Sequence, residues 1–249
     1  MKITIVGCSG SFPGPDSPSS CYLVEHEDSR ILLDMGNGSL GSLQRYADIY
    51  AIDGVILSHL HVDHFIDLCS YYVALRYRPG GGSRIVPVWG PAETEQRLLA
   101  AYGADVDTDM TSELDIRQIM GSFIVGPFQI ETAVMKHPVE SRAIKVTAGG
   151  RSVVYSGDTG PDPQLAALAQ GCDLALFEAS FLSDGDNPTD LHMTGAEAGQ
   201  LAAAAGAEQL LLTHLVPWND TQQVLAEAQA HYPSAVLARP GLSITLDAS

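Results

Sequence analysis

Positive charge is the scarcest property of this 249-residue chain. Only 13 Lys and Arg stand against 30 Asp and Glu, a formal net charge of −17. So acidic a surface repels phosphate backbones, which excludes a long nucleic acid as the default partner. Any anion has to be held locally, by a metal or a small basic pocket. Long hydrophobic runs are also missing: no apolar stretch approaches the roughly 18 residues of a membrane span. The opening MKITIVGCSGS is a short β-branched run ending at glycine, too short for a signal core, and reads as a first strand. The expectation is a protein without membrane attachment, residing in the cytoplasm. Cysteine is sparse. Cys8, Cys21, Cys69 and Cys172 form no CxxC pair, which excludes a disulfide framework and reads as reduced thiols. Cys8, inside a glycine-rich loop, is expected to be a small buried apolar residue. That loop, residues 7–20, lacks the GK[ST] of a P-loop, which excludes a nucleoside-triphosphate cradle, although its backbone N–H groups could help hold an anion. Charged residues make up 17% and hydrophobic residues 45%, a balance that excludes a disordered polyampholyte and leaves enough chain for a substantial core.

What is present is a regular alternation of strands and helices. Short apolar runs bounded by Gly, Pro, Asp and Ser predict strands at 3–6, 22–25, 30–34, 54–58 and 85–89. Helical patterns are expected at 65–76 and 92–101, with a Gly-rich turn over 78–84 between them. The acidic stretch 105–115 has little apolar periodicity and is read as a surface excursion. Strands follow at 128–135 and 143–146, and a glycine turn at 148–151 feeds another at 152–155. Helices at 163–169, 195–205 and 221–231 then alternate with strands at 174–177 and 209–212, and two short strands close the pattern. Layer logic favours two sheets packed face to face with helices outside, an αββα sandwich of the α/β class. Without a linker or short repeat, residues 1–249 are expected to form one domain, with room for two similar halves.

The segment Ser58-His59-Leu60-His61-Val62-Asp63-His64 directly follows the apolar run GVIL. Three histidines and an aspartate fall within six positions at a strand end, where alternate side chains can converge on one point. Imidazole nitrogen and carboxylate oxygen suit zinc or a similar divalent first-row ion. Chance rarely places HxHxDH in this context, so a metal site is the expectation.

At these residues the chain resembles the metallo-β-lactamase-fold hydrolases, whose signature is HxHxDH at a strand end. The resemblance implies two divalent metal ions and supplies the remaining ligands. His137, in Lys136-His137-Pro138, would complete the first site with His59 and His61. Asp158, in Ser156-Gly157-Asp158-Thr159, would bridge the two ions. His214, after Leu211-Leu212-Thr213, would complete the second site with Asp63 and His64. Five histidines and two aspartates favour zinc, with manganese and iron(II) as alternatives. Two such ions would lower the pKa of a shared water so that a bridging hydroxide exists at neutral pH, with Asp63 orienting or deprotonating it. Taken alone, His137 reads as a strand-end residue, Asp158 as a turn former and His214 as a buried polar residue. His137 is followed by Pro-Val-Glu-Ser-Arg-Ala rather than the Gly-Tyr pair common in the family.

Glu178, in Leu176-Phe177-Glu178-Ala179-Ser180, and His192, before the small-residue run TGAEAGQLAAAAG, resemble the ribonuclease Z branch. There the matching Glu and His form a pair facing the scissile phosphate, which implies that Glu178 holds His192 protonated as the acid for the leaving group. Segments such as VGCSGSFPGPDSPSSCYLV, DMGNGSLGSLQRY, YSGDTG and LLLTHLVPW resemble the actinobacterial atypical cyclic-nucleotide phosphodiesterases. The resemblance implies hydrolysis of a small phosphodiester such as cAMP. The alternatives are tRNA 3′-end processing, a lactonase or thioesterase activity, and an inactive metal-binding scaffold. Against tRNA stand the charge of −17 and the lack of a Gly- and Lys/Arg-rich arm between 129–135 and Asp158. Dimers are common among such relatives, so a homodimer is a further expectation. Arg76, Arg78 and Arg84, with Tyr71, Tyr72 and Tyr77, form the one locally basic and aromatic stretch and could line a substrate mouth or an exposed helix face.

Overall fold

The computed structural model describes residues 1–80, 84–103 and 108–247. In the first half, β1 (Lys2–Gly7), β2 (Cys21–His26), β3 (Ser29–Leu33), α1 (Ser39–Leu43), β4 (Gly54–Ile56), α2 (Val62–Phe65), α3 (Asp67–Arg76), β5 (Val86–Gly90), α4 (Thr94–Tyr102) and β6 (Leu114–Gln118) follow in order. The second half runs β7 (Ser122–Val125), β8 (Phe128–Met135), β9 (Ser141–Ala148), β10 (Arg151–Tyr155), α5 (Pro163–Leu168), β11 (Leu174–Glu178), α6 (Gly195–Ala205), β12 (Leu210–Thr213), α7 (Thr221–Gln229), β13 (Val236–Leu237) and β14 (Ser243–Thr245).

These strands form two seven-stranded sheets, ordered β14-β1-β2-β3-β4-β5-β6 and β13-β12-β11-β10-β9-β8-β7. Both repeat one plan. An antiparallel meander, β1–β3 in one sheet and β7–β10 in the other, runs into parallel strands, β3–β6 and β10–β13. The inner parallel strands β4, β11 and β12 are buried on both faces, so GVI, LALF and LLL are continuous apolar runs, whereas the antiparallel β8, FQIETAVM, alternates. Ile3, Ile5, Tyr22, Phe128, Val146, Leu176 and Leu211 fill the space between the sheets. Leu40, Phe65, Leu68, Tyr71 and Leu98 pack α1, α3 and α4 on the outer face of the first sheet. Leu165, Ala198, Ala202, Val224 and Ala228 do the same for α5–α7 on the second. The expected αββα layering is what forms, and no helix of the described residues is long and apolar enough to cross a membrane.

Several local expectations need correction. The pattern read as one helix over 65–76 breaks at Ile66 into α2 and α3, because the histidine turn has to close before the long helix starts. Part of the acidic stretch is a strand: β6 pairs in parallel with β5, and its edge position leaves Leu114 as its one fully buried residue, which weakens the alternation. Residues 105–107 of that stretch, and 81–83 of the expected turn, lie outside the described residues. Strand β7 was not foreseen, nor was α1, whose five residues carry no long-range pattern.

Candidate metal centre

Strand ends build the site. Strand β4 delivers Ser58, His59 and His61, and α2 immediately turns Asp63 and His64 inward. His137 follows β8, Asp158 follows β10, Glu178 ends β11 and His214 follows β12. In parallel sheets these carboxyl ends open onto one crevice, where ligands of such folds collect. Two glycines permit the close approach. A Cβ at Gly36 would stand 1.9 Å from the Asp63 carbonyl oxygen, and one at Gly10 would stand 2.6 Å from that of His214.

The structure brings all seven residues together. One group joins His59, His61, His137 and Asp158, and a second joins Asp63, His64 and His214, with the ligand-type atoms of each group within 4.8 Å of one another. His59 Nε2 and His137 Nε2 lie 3.1 and 3.2 Å from His61 Nδ1. His64 Nε2 lies 3.2 Å from His214 Nε2, and His214 Nε2 lies 3.1 Å from Asp63 Oδ2. Asp158 sits between the groups, 3.6 Å from His59 Nε2, 3.4 Å from His64 Nε2 and 3.4 Å from His214 Nε2.

The outer hydrogen bonds fix the tautomers. His64 Nδ1–H donates to Asp34 Oδ2 at 2.7 Å, and His137 Nδ1–H donates to the Leu191 carbonyl at 2.9 Å. The Ser58 hydroxyl donates to Asp34 Oδ2, so its oxygen accepts from His59 Nδ1–H at 3.0 Å. The Ser180 hydroxyl donates to Glu178 Oε2, so its oxygen accepts from His214 Nδ1–H at 2.7 Å. Each of these four rings therefore turns an Nε2 lone pair inward. Lone pair faces lone pair at His64 and His214, and carboxylate oxygens face both. Asp158 Oδ1 is buried with no hydrogen-bond partner. Acceptors crowded on acceptors are stable only around cations, and this donor set fits divalent ions.

The charges tell the same story. Burial pushes His59 well below its ordinary range and lowers His61 and His137 as well. His64 is also opposed by burial, but Asp158 and Asp34 raise it well above the ordinary value. In a metal-free chain a proton is the one charge available to neutralise those carboxylates, so protons and metal compete for the cluster. Burial would raise Asp63 and Asp158, yet His64 and His214 hold both carboxyls well below the usual range, with His59 helping at Asp158.

Beside the cluster, His192 Nδ1 lies 2.8 Å from Glu178 Oε1 and 3.8 Å from Asp158 Oδ2. Burial opposes its charge, but Glu178 outweighs that and raises the imidazole to about 9. Glu178 is itself fixed by Thr159 N–H, Ser180 N–H and the Ser180 hydroxyl. Asp34, Tyr155 and Ser180 were missed in the sequence. Tyr155 O–H donates to Asp34 Oδ2 at 2.7 Å, under His64. A signal existed for Asp34: it terminates the apolar run ILL, as His59, Glu178 and His214 terminate theirs. Asp34 and His214 both have positive φ, 58° and 53°, a backbone conformation uncommon for residues other than glycine.

The basic stretch lies elsewhere. Tyr71 and Tyr72 are buried, Arg76 pairs with Glu113, Arg84 with Asp53, and Arg78 stacks on Tyr50. The cavity over the cluster is lined instead by Ser11, Leu60, His61, Val62, Arg97 and His192, together with the ligand-type residues. The glycine-rich loop reaches it through Ser11, and Cys8 is buried as expected, its thiol pushed up to about 11 by that burial.

Residues 29–215 match the beta-lactamase superfamily domain. An uncharacterised protein of Mycobacterium tuberculosis is 42% identical over 96% of this chain and 89% of its own length. The probable metallo-hydrolase YhfI of Bacillus subtilis is 31% identical over 97% of this chain and 98% of its own. The crystal structure of YhfI superposes with a TM-score of 0.88 over 98% of both chains, at 30% identity. A ribonuclease Z of Myxococcus xanthus is 25% identical over 99% of this chain and 98% of its own. With its two sheets and clustered His and Asp side chains, this chain belongs to the beta-lactamase superfamily, as a metallo-hydrolase with YhfI and ribonuclease Z among its homologues.

Proposed function

We propose that this metallo-hydrolase is a phosphodiesterase acting on small phosphodiesters, cyclic nucleotides such as cAMP first among them. The observation that carries the reading is the Glu178–His192 pair at 2.8 Å on the lip of the cluster. His59, His61 and His137 would hold one divalent ion and Asp63, His64 and His214 a second, with Asp158 between them and zinc the ion that suits the set. Such ions supply Lewis-acid chemistry, polarising a phosphoryl oxygen and making water nucleophilic at neutral pH. The chain's own residues do the rest. Asp63, held ionised, accepts a hydrogen bond from an attacking water and so orients it. Glu178 keeps His192 an imidazolium whose Nδ1–H is tied down, leaving Nε2–H to donate to the departing alkoxide as the P–O bond breaks. An alkoxide is a poor leaving group and needs that proton, which gives a phosphodiester more use for this pair than a thioester, whose thiolate departs without one.

The second reading, ribonuclease Z-type cleavage of tRNA 3′ ends, is favoured by the Myxococcus relative. Opposing it, β8 joins β9 through five residues and β9 joins β10 through Gly149 and Gly150, so no RNA-gripping arm emerges there. The charge of −17 opposes a polyanion further. The metal-loaded protein is to be offered 3′,5′-cAMP, 2′,3′-cAMP and a precursor tRNA with a 3′ trailer. Cyclic-nucleotide turnover is expected. Specific tRNA cleavage with neither cyclic nucleotide hydrolysed overturns the proposal.

A further inference from the structure

Two cavities meet at the cluster. One, of about 330 Å³, has Asp63, Asp158, His192 and His214 in its walls and lies over the chemistry. The other, of about 550 Å³, has Pro91, Ala92, Glu93, Val139 and Glu140 in its walls. Leu60, His61 and Arg97 line both and form the threshold between them. Arg97 is the one Lys or Arg among these lining residues. Its ion pair is loose: Glu93, one turn earlier at the N-cap of α4, stands at 3.5 Å with both side chains largely exposed, an arrangement that contributes little. Arg30, Arg76 and Arg142, by contrast, are held by carboxylates at 3.3 Å or closer. A guanidinium so weakly engaged is available to a better bidentate acceptor, and a phosphate is one. The larger cavity has a different character. Leu60, Pro91, Ala92 and Val139 give it apolar walls, while Glu93, in its loose pair with Arg97, and Glu140, paired with Arg142 at 2.9 Å, place carboxylates among them. Such a surface takes an uncharged body carrying N–H or O–H donors and repels a second phosphate.

We infer that Arg97 grips the non-bridging oxygens of the phosphate at the threshold and that the 550 Å³ cavity receives the uncharged, nucleoside-like arm of the ester. The inference rests on the phosphodiesterase reading and says which phosphodiesters fit: those with one charge at the reacting phosphate and none on the arm. The test uses zinc-reconstituted protein and two readouts, calorimetric binding of 5′-AMP and turnover of 3′,5′-cAMP. Arg97→Ala, an exposed substitution by a better helix former, is expected to raise the Kd for AMP and the KM for cAMP about tenfold, with kcat changed less than about threefold. Arg97→Lys should restore part of the loss. The Glu93→Gln, Glu140→Gln double variant should improve binding of a dinucleotide bearing an extra terminal phosphate by at least about threefold relative to AMP. Unchanged Kd and KM in Arg97→Ala, or no change of that ratio in the double variant, overturns the inference while turnover stands. AMP binding that depends on Arg97 without hydrolysis of any phosphodiester overturns the phosphodiesterase reading alone. Neither AMP binding nor phosphodiester turnover by the wild-type protein overturns both, and turnover without AMP binding overturns the inference alone.

Discussion

A histidine can serve as ligand, acid or filler, and in this chain its second nitrogen decides which. His59, His64, His137 and His214 each spend Nδ1–H on an outer acceptor and present Nε2 to the cluster. His192, like His64, spends Nδ1–H on a carboxylate, here Glu178, but it stands in the wall of the cavity beside the two ligand groups, where its other nitrogen is free for the proposed role of acid. Its pKa is raised above the ordinary histidine value to about 9, so the protonated form is present below that pH and lost as pH rises through it. His192→Ala is therefore expected to lower turnover by about 10²- to 10⁴-fold with metal content unchanged. Glu178→Gln removes the charge that sustains the imidazolium and should move the basic limb of the pH–rate profile down toward the ordinary histidine range. A steady-state profile between pH 6 and about 10, with metal analysis of each variant, checks both. An unaltered rate in His192→Ala would remove His192 as the acid and favour a lactonase or thioesterase.

At the level of elements, the part of the site legible in the sequence was the part carried by strand ends. Apolar runs that stop at a His, Asp or Glu mark β4, β10, β11 and β12, because parallel strands buried on both faces leave their first polar residue at the crevice. Edge strands β6 and β7 were illegible for the complementary reason: half-exposed, they carry too few buried residues to set a period. Asp34, Ser180 and Tyr155 act through contacts with residues far along the chain, such as Asp34 with His64, 30 residues on, and Tyr155 with Asp34, 121 residues back, and only the fold creates those. Arg97 had no signal, being one arginine in an ordinary amphipathic helix. The acid, in turn, depends on how α6 sits against α7, since His192 lies two residues before the Thr194 cap of α6. Gly195 and Gly199 are where these helices come close: a Cβ would stand 2.1 Å from the Val224 carbonyl oxygen at the first and 2.6 Å from the Ala228 carbonyl oxygen at the second. Gly199→Ala should therefore separate the helices despite its better helix propensity, costing about 1–3 kcal/mol. Urea denaturation reads this as a lower midpoint at constant slope, and an equal or higher midpoint would show that the interface can relax.

For the whole molecule, the charge of −17 bears on two things at once, substrate and stability. Asp63 and Asp158 are two of the thirty acids, and two divalent ions would exceed their charge, leaving a cationic centre inside an acidic shell. On the proposed function, that shell would turn away long polyanions while the centre still captured one phosphate. The same arrangement ties folding to the metal. Between the two sheets' strand ends, His59, His64, Asp158 and His214 are buried with acceptors opposed, and stripping the ions leaves that repulsion to be relieved by protons or by opening. Ions bound at about 1,000 times their dissociation constant each stabilise the native state by about 4 kcal/mol. For a chain of this size each kcal/mol is worth about 2–4 °C in Tm. Chelation followed by dialysis is thus expected to lower Tm by about 10 °C or more at neutral pH, with recovery when zinc is restored. The gap should narrow as pH falls, because protonation of the histidines competes with the metal and releases it. Scanning calorimetry of the stripped and reconstituted protein, with metal content measured on the same samples, decides the matter. Superimposable melts of metal-free and metal-loaded protein would mean that the cluster is rigid enough to bear its own repulsion, and that the fold owes the ions nothing.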